Sequence, residues 1–347
     1  MDKTVETEVI ESILQRYGFD ACVTEQASYI HYIGEEGDIK LIFRVTLKNG
    51  KMLVIKLVHE DGDLLQERQK IEKQSSFSEF MRSQGIRTPA RYQANGSYCG
   101  AYVYYNIPCN VTVEDWCGEE IKEITAEIAF RIGKLMAWMH TISLENKCEI
   151  GCGTLFSAAF WNDVDAFPRF CEICKDERLN QSVVEQIHRL HDEKLERIRR
   201  GWGQLPRAAV QGDISINNLA LSADGLTVFD YNNAGDEVLI SDLIMEGLLT
   251  AYEMDLPEGT QTAYREQLFP ALLRGYLSVR TLSEAERKIA WEIYTMYHGL
   301  WFTRIQYNDD SLEKLVERGD YDTANRLLIQ MLSDITEQDD GRFSGNL

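Results

Sequence analysis

The stretch from Gln211 to Tyr231, QGDISINNLALSADGLTVFDY, constrains the fold of this chain more than any other. Two short apolar runs flank Asp224-Gly225, a dipeptide that is typical of tight β-hairpin turns. A hairpin this short returns the chain to its starting point. We therefore expect Asp230, which follows the second run, to lie near Asn218, which precedes the first.

The polar residues around this hairpin have a characteristic spacing. Asp213 is followed by Asn218 five residues later and by Asp230 after the hairpin. Each could be a turn former or a cap, but the joint spacing resembles the catalytic loop and metal-binding Asp of the protein-kinase-like fold. With Gly before Asp213, the stretch resembles the aminoglycoside phosphotransferase and choline kinase family, whose usual motif is His-Gly-Asp-x-x-x-x-Asn. Gln211 stands where that family usually has His.

The resemblance implies a fold and a chemistry. The expected fold is α+β, a bilobal protein-kinase-like fold with a small β-sheet N-lobe, one main helix in that lobe, and a larger, mostly helical C-lobe. Asp213 would orient the acceptor hydroxyl, while Asn218 and Asp230 would hold Mg²⁺ ions that bridge the phosphates of ATP or GTP. Gln211 can donate and accept as neutral His does, so we expect altered bracing of the loop rather than lost chemistry.

Upstream, SYIHYIGEEGDIKLIFRVTLKNGKMLVIKLVHE predicts three strands, ending near residue 33 and then spanning about 39–47 and 52–58. Lys56 lies in the third. A lysine in a buried apolar strand is costly unless it meets a negative partner, although on an edge it can extend to solvent. The resemblance implies that this partner is the α/β-phosphate pair, and that the turn holding Gly34 and Gly37 lies near the phosphates.

A long helix is predicted for residues 63–84, ended by Gly85. In the family a Glu on this helix orients the lysine. Gln74 occupies that position here, so either Gln74 substitutes for the acid, or Glu67 or Glu72 serves from a shifted register. The missing acid, together with Gln211, leaves open an alternative function: a catalytically weak or inactive kinase-like protein that binds nucleotide or acts as a scaffold.

The segment GAYVYYNIPCNVTVEDW predicts a strand that runs into a polar stretch. It resembles the fifth strand and hinge of the family, which implies that the backbone near Asn106 and Ile107 meets the adenine edge. The expected domains are an N-terminal nucleotide-binding lobe at 1–107, a C-terminal catalytic and acceptor-binding lobe at 108–338, and a flexible tail at 339–347.

Two further polar residues are expected to be structural. His140 comes at the end of an apolar, helix-forming stretch, where a packing role is more common than a catalytic one. Asp242 matches an acid that, in kinase-like folds, usually braces the backbone of the catalytic loop. Helices are expected over 160–200 and from about Glu237 through Leu332.

The composition limits the partners. The formal charge is −20, from 36 basic and 56 acidic residues, which argues against nucleic acid and favours a cationic acceptor. The first residues are polar and amphipathic, and no apolar run reaches the length of a membrane span, so we expect a cytoplasmic protein that does not bind membranes. The predicted function is transfer of phosphate from ATP or GTP to a hydroxyl of a small molecule. The sequence names neither the acceptor nor the oligomeric state.

Overall fold

A computed structural model describes residues 4–20, 22–34, 38–59, 62–154, 167–251 and 261–344, with the backbone alone for 261–266. Numbered along the chain, the elements are α1 (Thr7–Arg16), β1 (Val23–Ile33), β2 (Ile39–Leu47), β3 (Met52–His59), α2 (Leu64–Ser83), β4 (Gly100–Tyr104), β5 (Ile107–Asp115), α3 (Ala126–Asn146), α4 (Phe167–Ile173), α5 (Gln181–Trp202), β6 (Arg207–Val210), β7 (Leu219–Ser222), β8 (Gly225–Val228), β9 (Gly235–Val238), α6 (Leu239–Ala251), α7 (Gln261–Leu277), α8 (Glu284–Gly299), α9 (Phe302–Ile305), α10 (Leu312–Glu317) and α11 (Tyr321–Ile335).

The chain forms two compact units. The first comprises Met1–Lys122 together with Asn217–Ala234, and the second comprises Glu123–Ile216 together with Gly235–Leu347. The first unit therefore contains the β7–β8 hairpin as well as the N-terminal sheet. The second unit contains the segment that carries Asp213.

The first unit is built on an antiparallel sheet with the strand order β1-β2-β3-β5-β4. One face is apolar and packs against α1, through strand residues such as Phe43 and Ile55 and helix residues such as Ile13. Because successive side chains in a strand point to opposite faces, Lys56 projects from the other face, beside Ile55 in sequence. The three predicted strands are confirmed, and this alternation fixes the direction of Lys56.

The long helix predicted for this unit is also confirmed. Asp63 caps α2, since its side chain accepts hydrogen bonds from the backbone N–H groups of Leu65 and Gln66. The helix ends before Gly85, whose φ of +90° is a conformation that favours glycine. Capping at both ends thus explains why α2 covers almost the whole predicted range.

The second unit is mostly helical. Helices α3 and α7 approach at backbone distance: a Cβ at Gly133 would lie 1.9 Å from the carbonyl oxygen of Leu272, and one at Gly275 would lie 1.9 Å from that of Phe130. Only glycine permits this packing. Together with the antiparallel sheet of the first unit, these helices confirm the predicted α+β class. None of the helices in the described ranges combines the length and hydropathy needed to cross a bilayer.

The segment expected to be a flexible tail packs against this unit as far as it is described. Phe343 is buried, and the guanidinium of Arg342 lies 5.1 Å from the ring centroid of Trp291 on α8. The buried ring of Phe343 and the cation–π contact of Arg342 hold this segment in place, although its polar composition predicted a flexible tail. Residues 345–347 lie outside the described part of the chain.

Candidate functional site

Lys56 is buried on β3, with 6% of its surface exposed, and its ammonium lies between two carboxylates. The Nζ atom is 2.9 Å from Oδ1 of Asp230 and 3.7 Å from Oε1 of Glu114. A buried lysine is stable only where opposite charge offsets its desolvation, and these two acids supply that charge. Lys56 therefore does not extend to solvent from a sheet edge.

Glu114 on β5 is itself held from a second side. Its Oε2 atom lies 3.1 Å from Nε of Arg91, and Arg91 also donates from Nη1 to the hydroxyl of Ser75 at 2.8 Å. Lys56, Arg91, Glu114 and Asp230 thus form a group of four ionisable side chains, called here the Lys56 cluster. It contains two cations and two anions, so its formal charge is balanced.

Asp230 follows β8 in a backbone conformation that few non-glycine residues adopt. Its φ is +53°, in the left-handed region, and its carboxylate accepts a hydrogen bond from the backbone N–H of Asn232. Burial by itself would raise the pKa of Asp230, but the Lys56 ammonium outweighs burial and leaves that pKa below its usual value. The carboxylate is therefore ionised at neutral pH, and 28% of its surface is exposed.

The predicted hairpin is confirmed, because β7 pairs with β8 in register from Leu219–Val228 to Ser222–Gly225. Where the hairpin closes, the N–H of Phe229 donates to the carbonyl oxygen of Asn218 at 2.9 Å. Asn218 and Asp230 are thus brought to the same end of the hairpin. One carboxylate and one amide oxygen suit Mg²⁺, which prefers few protein ligands and completes its shell with water and phosphate oxygens.

The α2 residues considered as partners of Lys56 are engaged elsewhere. The amide Nε2 of Gln74 donates to the carbonyl oxygens of Asn232 at 2.6 Å and Ala234 at 3.0 Å. Glu72 accepts from the backbone N–H groups of Tyr98 and Cys99, and Glu67 is an exposed residue 3.8 Å from Lys70. Neither proposed register of α2 therefore places an acid against Lys56.

The expected hinge is instead a β-hairpin. Strands β4 and β5 pair from Gly100–Val111 to Tyr104–Ile107, and Tyr105 and Asn106 form the two-residue turn with φ values of +47° and +66°. The connection out of the sheet follows β5, after Asp115. Asn106 and Ile107 therefore lie in a hairpin turn and at the start of β5, not in a segment that leaves the sheet, and the adenine contact that the resemblance implied for them stays a prediction.

The glycine turn after β1 is only partly described. The N–H of Gly34 donates to the carbonyl oxygen of Asp38 at 2.7 Å, which closes the turn between β1 and β2. A Cβ at this position would lie 2.8 Å from the hydroxyl of Tyr32, an exposed side chain that can move aside, so this contact does not require glycine. Gly37, which was also predicted to lie near phosphate, is outside the described residues.

In the second unit, the backbone that carries Asp213 is held by two buried side chains. Gln211 accepts from the N–H of Asp213 at 2.8 Å through Oε1, across Gly212, whose φ is +77°. Glu246 on α6 accepts from the N–H of Ile214 at 2.7 Å. Gln211 therefore braces the loop through its own side chain, which agrees with the hydrogen-bonding role inferred from its chemistry.

A second polar group in this unit is fully enclosed. His140 on α3 is within hydrogen-bond distance of Asp242 at 2.9 Å through Nε2 and of Tyr276 at 2.7 Å through Nδ1. All three residues are buried. We call this group the His140 cluster, and it ties α3, α6 and α7 together.

Sequence reasoning missed Glu114 and Glu246, and it assigned to Asp242 a bracing contact that Glu246 makes with the Ile214 N–H. Glu114 left a weak signal, since it continues the polar positions of the alternation Asn-Val-Thr-Val-Glu and so lies on the strand face of Thr112, which pairs with Lys56. Glu246 lies one helical turn after Asp242, and the sequence does not distinguish which of these neighbours reaches the loop.

No model of a known protein family matches the chain, and no curated protein sequence matches it. Solved structures do match. They include an amicoumacin kinase in complex with AMP-PNP, Ca²⁺ and Ami, which is 13% identical with a TM-score of 0.59 over 98% of each chain. An aminoglycoside phosphotransferase from Alicyclobacillus acidocaldarius is 12% identical, with a TM-score of 0.55 over 96% of each chain. A spectinomycin phosphotransferase in complex with ADP and spectinomycin is 11% identical, with a TM-score of 0.54 over 95% of this chain and 98% of that one. At such identities the similarity establishes the fold, which is that of the protein-kinase-like small-molecule phosphotransferases.

Proposed function

We propose that this protein is a phosphotransferase that uses ATP and Mg²⁺ to phosphorylate a hydroxyl of a small molecule. The observation that carries the proposal is the contact between buried Lys56 and Asp230, at the end of a hairpin that also presents Asn218. A cation for phosphate and oxygen ligands for a metal are what phosphoryl transfer needs from a protein. The similar structures bound to AMP-PNP and ADP support an adenine nucleotide.

Each residue has a distinct proposed role. Lys56 binds the α- and β-phosphates as a point charge, and Asn218 and Asp230 hold the metal. When bound, Mg²⁺ neutralises charge on the phosphate oxygens. Asp213 accepts a hydrogen bond from the acceptor hydroxyl and orients its oxygen for attack, and Gln211 keeps the backbone of Asp213 in place.

We assign nucleotide and metal binding to the first unit, and acceptor binding and the base to the second. The acceptor is proposed to be a small cationic molecule, such as an amino alcohol or an aminoglycoside, because the formal charge of −20 favours attraction of cations. The amicoumacin kinase and spectinomycin phosphotransferase among the similar structures support a small-molecule acceptor.

The alternative function is a kinase-like protein that binds nucleotide without turnover. Its motivation is the absence of an α2 acid at Lys56 and of His at position 211. The contacts of Lys56 with Glu114 and of Gln211 with Asp213 weaken that motivation, since each supplies a substitute for the missing group.

The deciding experiment measures ATP consumption with Mg²⁺ across a panel of amino alcohols, aminoglycosides and sugars. Asp213→Ala is expected to lower turnover by about 10²- to 10⁴-fold, the range for a lost general base, while the ATP-dependent rise in melting temperature persists. Asp224→Ala, in the exposed hairpin turn, is the matched control and should leave turnover unchanged. Absence of any ATP-dependent shift would refute both candidate functions, and a shift without turnover on any acceptor would favour the alternative.

A further inference from the structure

We propose that Glu114 on β5, rather than an acid on α2, is the residue that positions Lys56 for the nucleotide phosphates. This inference rests on the proposed function, because it assigns a positioning role within the same nucleotide site. It concerns the first unit alone, where both residues lie.

The β3–β5 ladder brings the two side chains together. Lys56 pairs with Thr112 and Val54 pairs with Glu114, so Lys56 and Glu114 are diagonal neighbours on one face of the sheet. The side chains are 8% and 5% exposed, and Oε1 of Glu114 lies 3.7 Å from Nζ of Lys56. Little water separates these charges, so their attraction is only weakly screened.

The second oxygen of Glu114 is fixed by Arg91. Its Oε2 atom lies 3.1 Å from Nε of Arg91, and the backbone N–H of Arg91 donates to Glu79 on α2 at 2.7 Å. The ion pair with Arg91 engages Oε2 and leaves Oε1 as the oxygen that faces Lys56 at ion-pair distance. Arg91 thus orients Glu114, and Glu114 orients Lys56.

The helix offers no competing acid. The acids of α2 are Glu67, Glu72 and Glu79, and each has another partner: Lys70, the amides of Tyr98 and Cys99, and Arg82 together with the Arg91 amide. The α2 residues that face the interior near the cluster are neutral, namely Gln74, Ser75 and Ser78.

The sheet, rather than the position of α2, fixes the orientation of Lys56. An acid on a helix positions the lysine only while the helix keeps its place, whereas β3 and β5 are joined by a ladder of backbone hydrogen bonds from Leu53–Asp115 to Val58–Asn110. The sheet therefore fixes the Lys56–Glu114 pair, and the orientation of Lys56 does not depend on an acid of α2.

The test is a double-mutant cycle on nucleotide binding, with AMP-PNP and Mg²⁺ as the probe. Glu114→Gln is expected to weaken AMP-PNP binding about 10-fold and to lower kcat/KM for ATP by up to about 100-fold, as expected for a misplaced binding group. In the Lys56→Met background the same change should add nothing, since Glu114 acts through Lys56. Glu67→Gln is the matched control on α2 and should match the wild type.

Two outcomes separate this inference from the proposed function. If Glu114→Gln weakens binding equally in both backgrounds, or not at all, the positioning role is wrong and Lys56 can still be a phosphate ligand. If Lys56→Met leaves AMP-PNP binding unchanged, the proposed role of Lys56 fails. Should Glu114→Gln not fold because it leaves Arg91 unpaired, the pair Glu114→Met with Arg91→Met removes both charges, should fold, and must show the same loss.

Discussion

The Lys56 cluster and the His140 cluster are both buried polar groups, yet they differ in how they are enclosed. In the His140 cluster all three side chains are buried, and both ring nitrogens of His140 have partners. In the Lys56 cluster Asp230 is 28% exposed and lies on left-handed backbone. The first arrangement joins helices, whereas the second keeps a charged oxygen accessible.

The difference gives a criterion for separating structural from functional polar groups. A non-glycine residue at positive φ costs roughly 1 kcal/mol or more, and such strain concentrates at functional sites. Asp230 combines that backbone with an ionised, accessible carboxylate, while none of the His140 cluster residues has a positive φ. Burial of a polar group is thus shared by both clusters, and access together with strain distinguishes them.

The largest expected effect comes from Lys56→Met. Phosphotransfer should fall by about 10²- to 10³-fold, the usual loss when one preorganised charge is removed from a transition state. The free energy of unfolding should also fall, by about 3–5 kcal/mol, because the change leaves the carboxylates of Glu114 and Asp230 with only one of the two cations of the cluster. Steady-state kinetics and urea unfolding test this. A large loss of stability with unchanged activity would make the Lys56 cluster structural and remove the contrast.

His140→Ala should lower the stability without lowering the affinity for nucleotide. It leaves the buried carboxylate of Asp242 without its His140 partner, and a buried acceptor that loses its partner costs about 1–3 kcal/mol. The folded fraction should keep its affinity for AMP-PNP and Mg²⁺. His59→Ala, at a half-buried histidine whose Nδ1 is 2.8 Å from the Pro108 carbonyl, is the control, with an expected cost of about 1 kcal/mol. Loss of AMP-PNP affinity at unchanged stability would contradict the structural role.

The sequence predicted the features whose signals are local. The turn at Asp224-Gly225 closes a hairpin, and alternation along β3 turns Lys56 away from the apolar face. Asp63 and Gly85 bound α2 as their capping chemistry requires. In each case the residues that determine the structure are within a few positions of one another, so that a single sequence suffices.

The sequence did not predict features that depend on distant residues or on an unusual turn. Tyr105 and Asn106 form a tight hairpin turn without the glycine that normally marks one. The sequence therefore predicts one strand and a hinge where the structure has β4 and β5. The same error hid the partner of Lys56, because Glu114 comes close to Lys56 only through the β3–β5 pairing. Periodicity within α2 could not show this.

Gln74→Glu tests directly whether α2 carries the missing acid. The amide of Gln74 donates to the carbonyl oxygens of Asn232 and Ala234, and a carboxylate would face both with no proton to donate. We expect a loss of about 1–3 kcal/mol in the free energy of unfolding, because the buried carbonyl of Ala234 and the partly buried carbonyl of Asn232 lose their donor. Thermal and urea unfolding measure it. A gain in affinity for AMP-PNP would instead show that position 74 addresses Lys56, and would count against Glu114.

A third ionic group, in which Glu292 on α8 contacts Lys194 and Arg197 on α5, sets the smallest expected effect. Burial would raise the pKa of Glu292, but its hydrogen bonds with Lys194 and Arg197 outweigh burial and lower that pKa from 4.5. A carboxyl with a depressed folded-state pKa contributes stability that is complete above its unfolded-state pKa and is lost as the pH falls through the folded-state value.

The stability difference between wild type and Glu292→Gln should therefore be constant near neutrality and shrink below about pH 4.5, from a plateau under about 1 kcal/mol. Unfolding titrations between roughly pH 3 and pH 7 measure it. A difference that grows on acidification would reverse the sign of the shift. Glu292 is 25% exposed, nearly as much as Asp230, but it lies on helical backbone, so access identifies a functional site only together with the backbone strain found at Asp230.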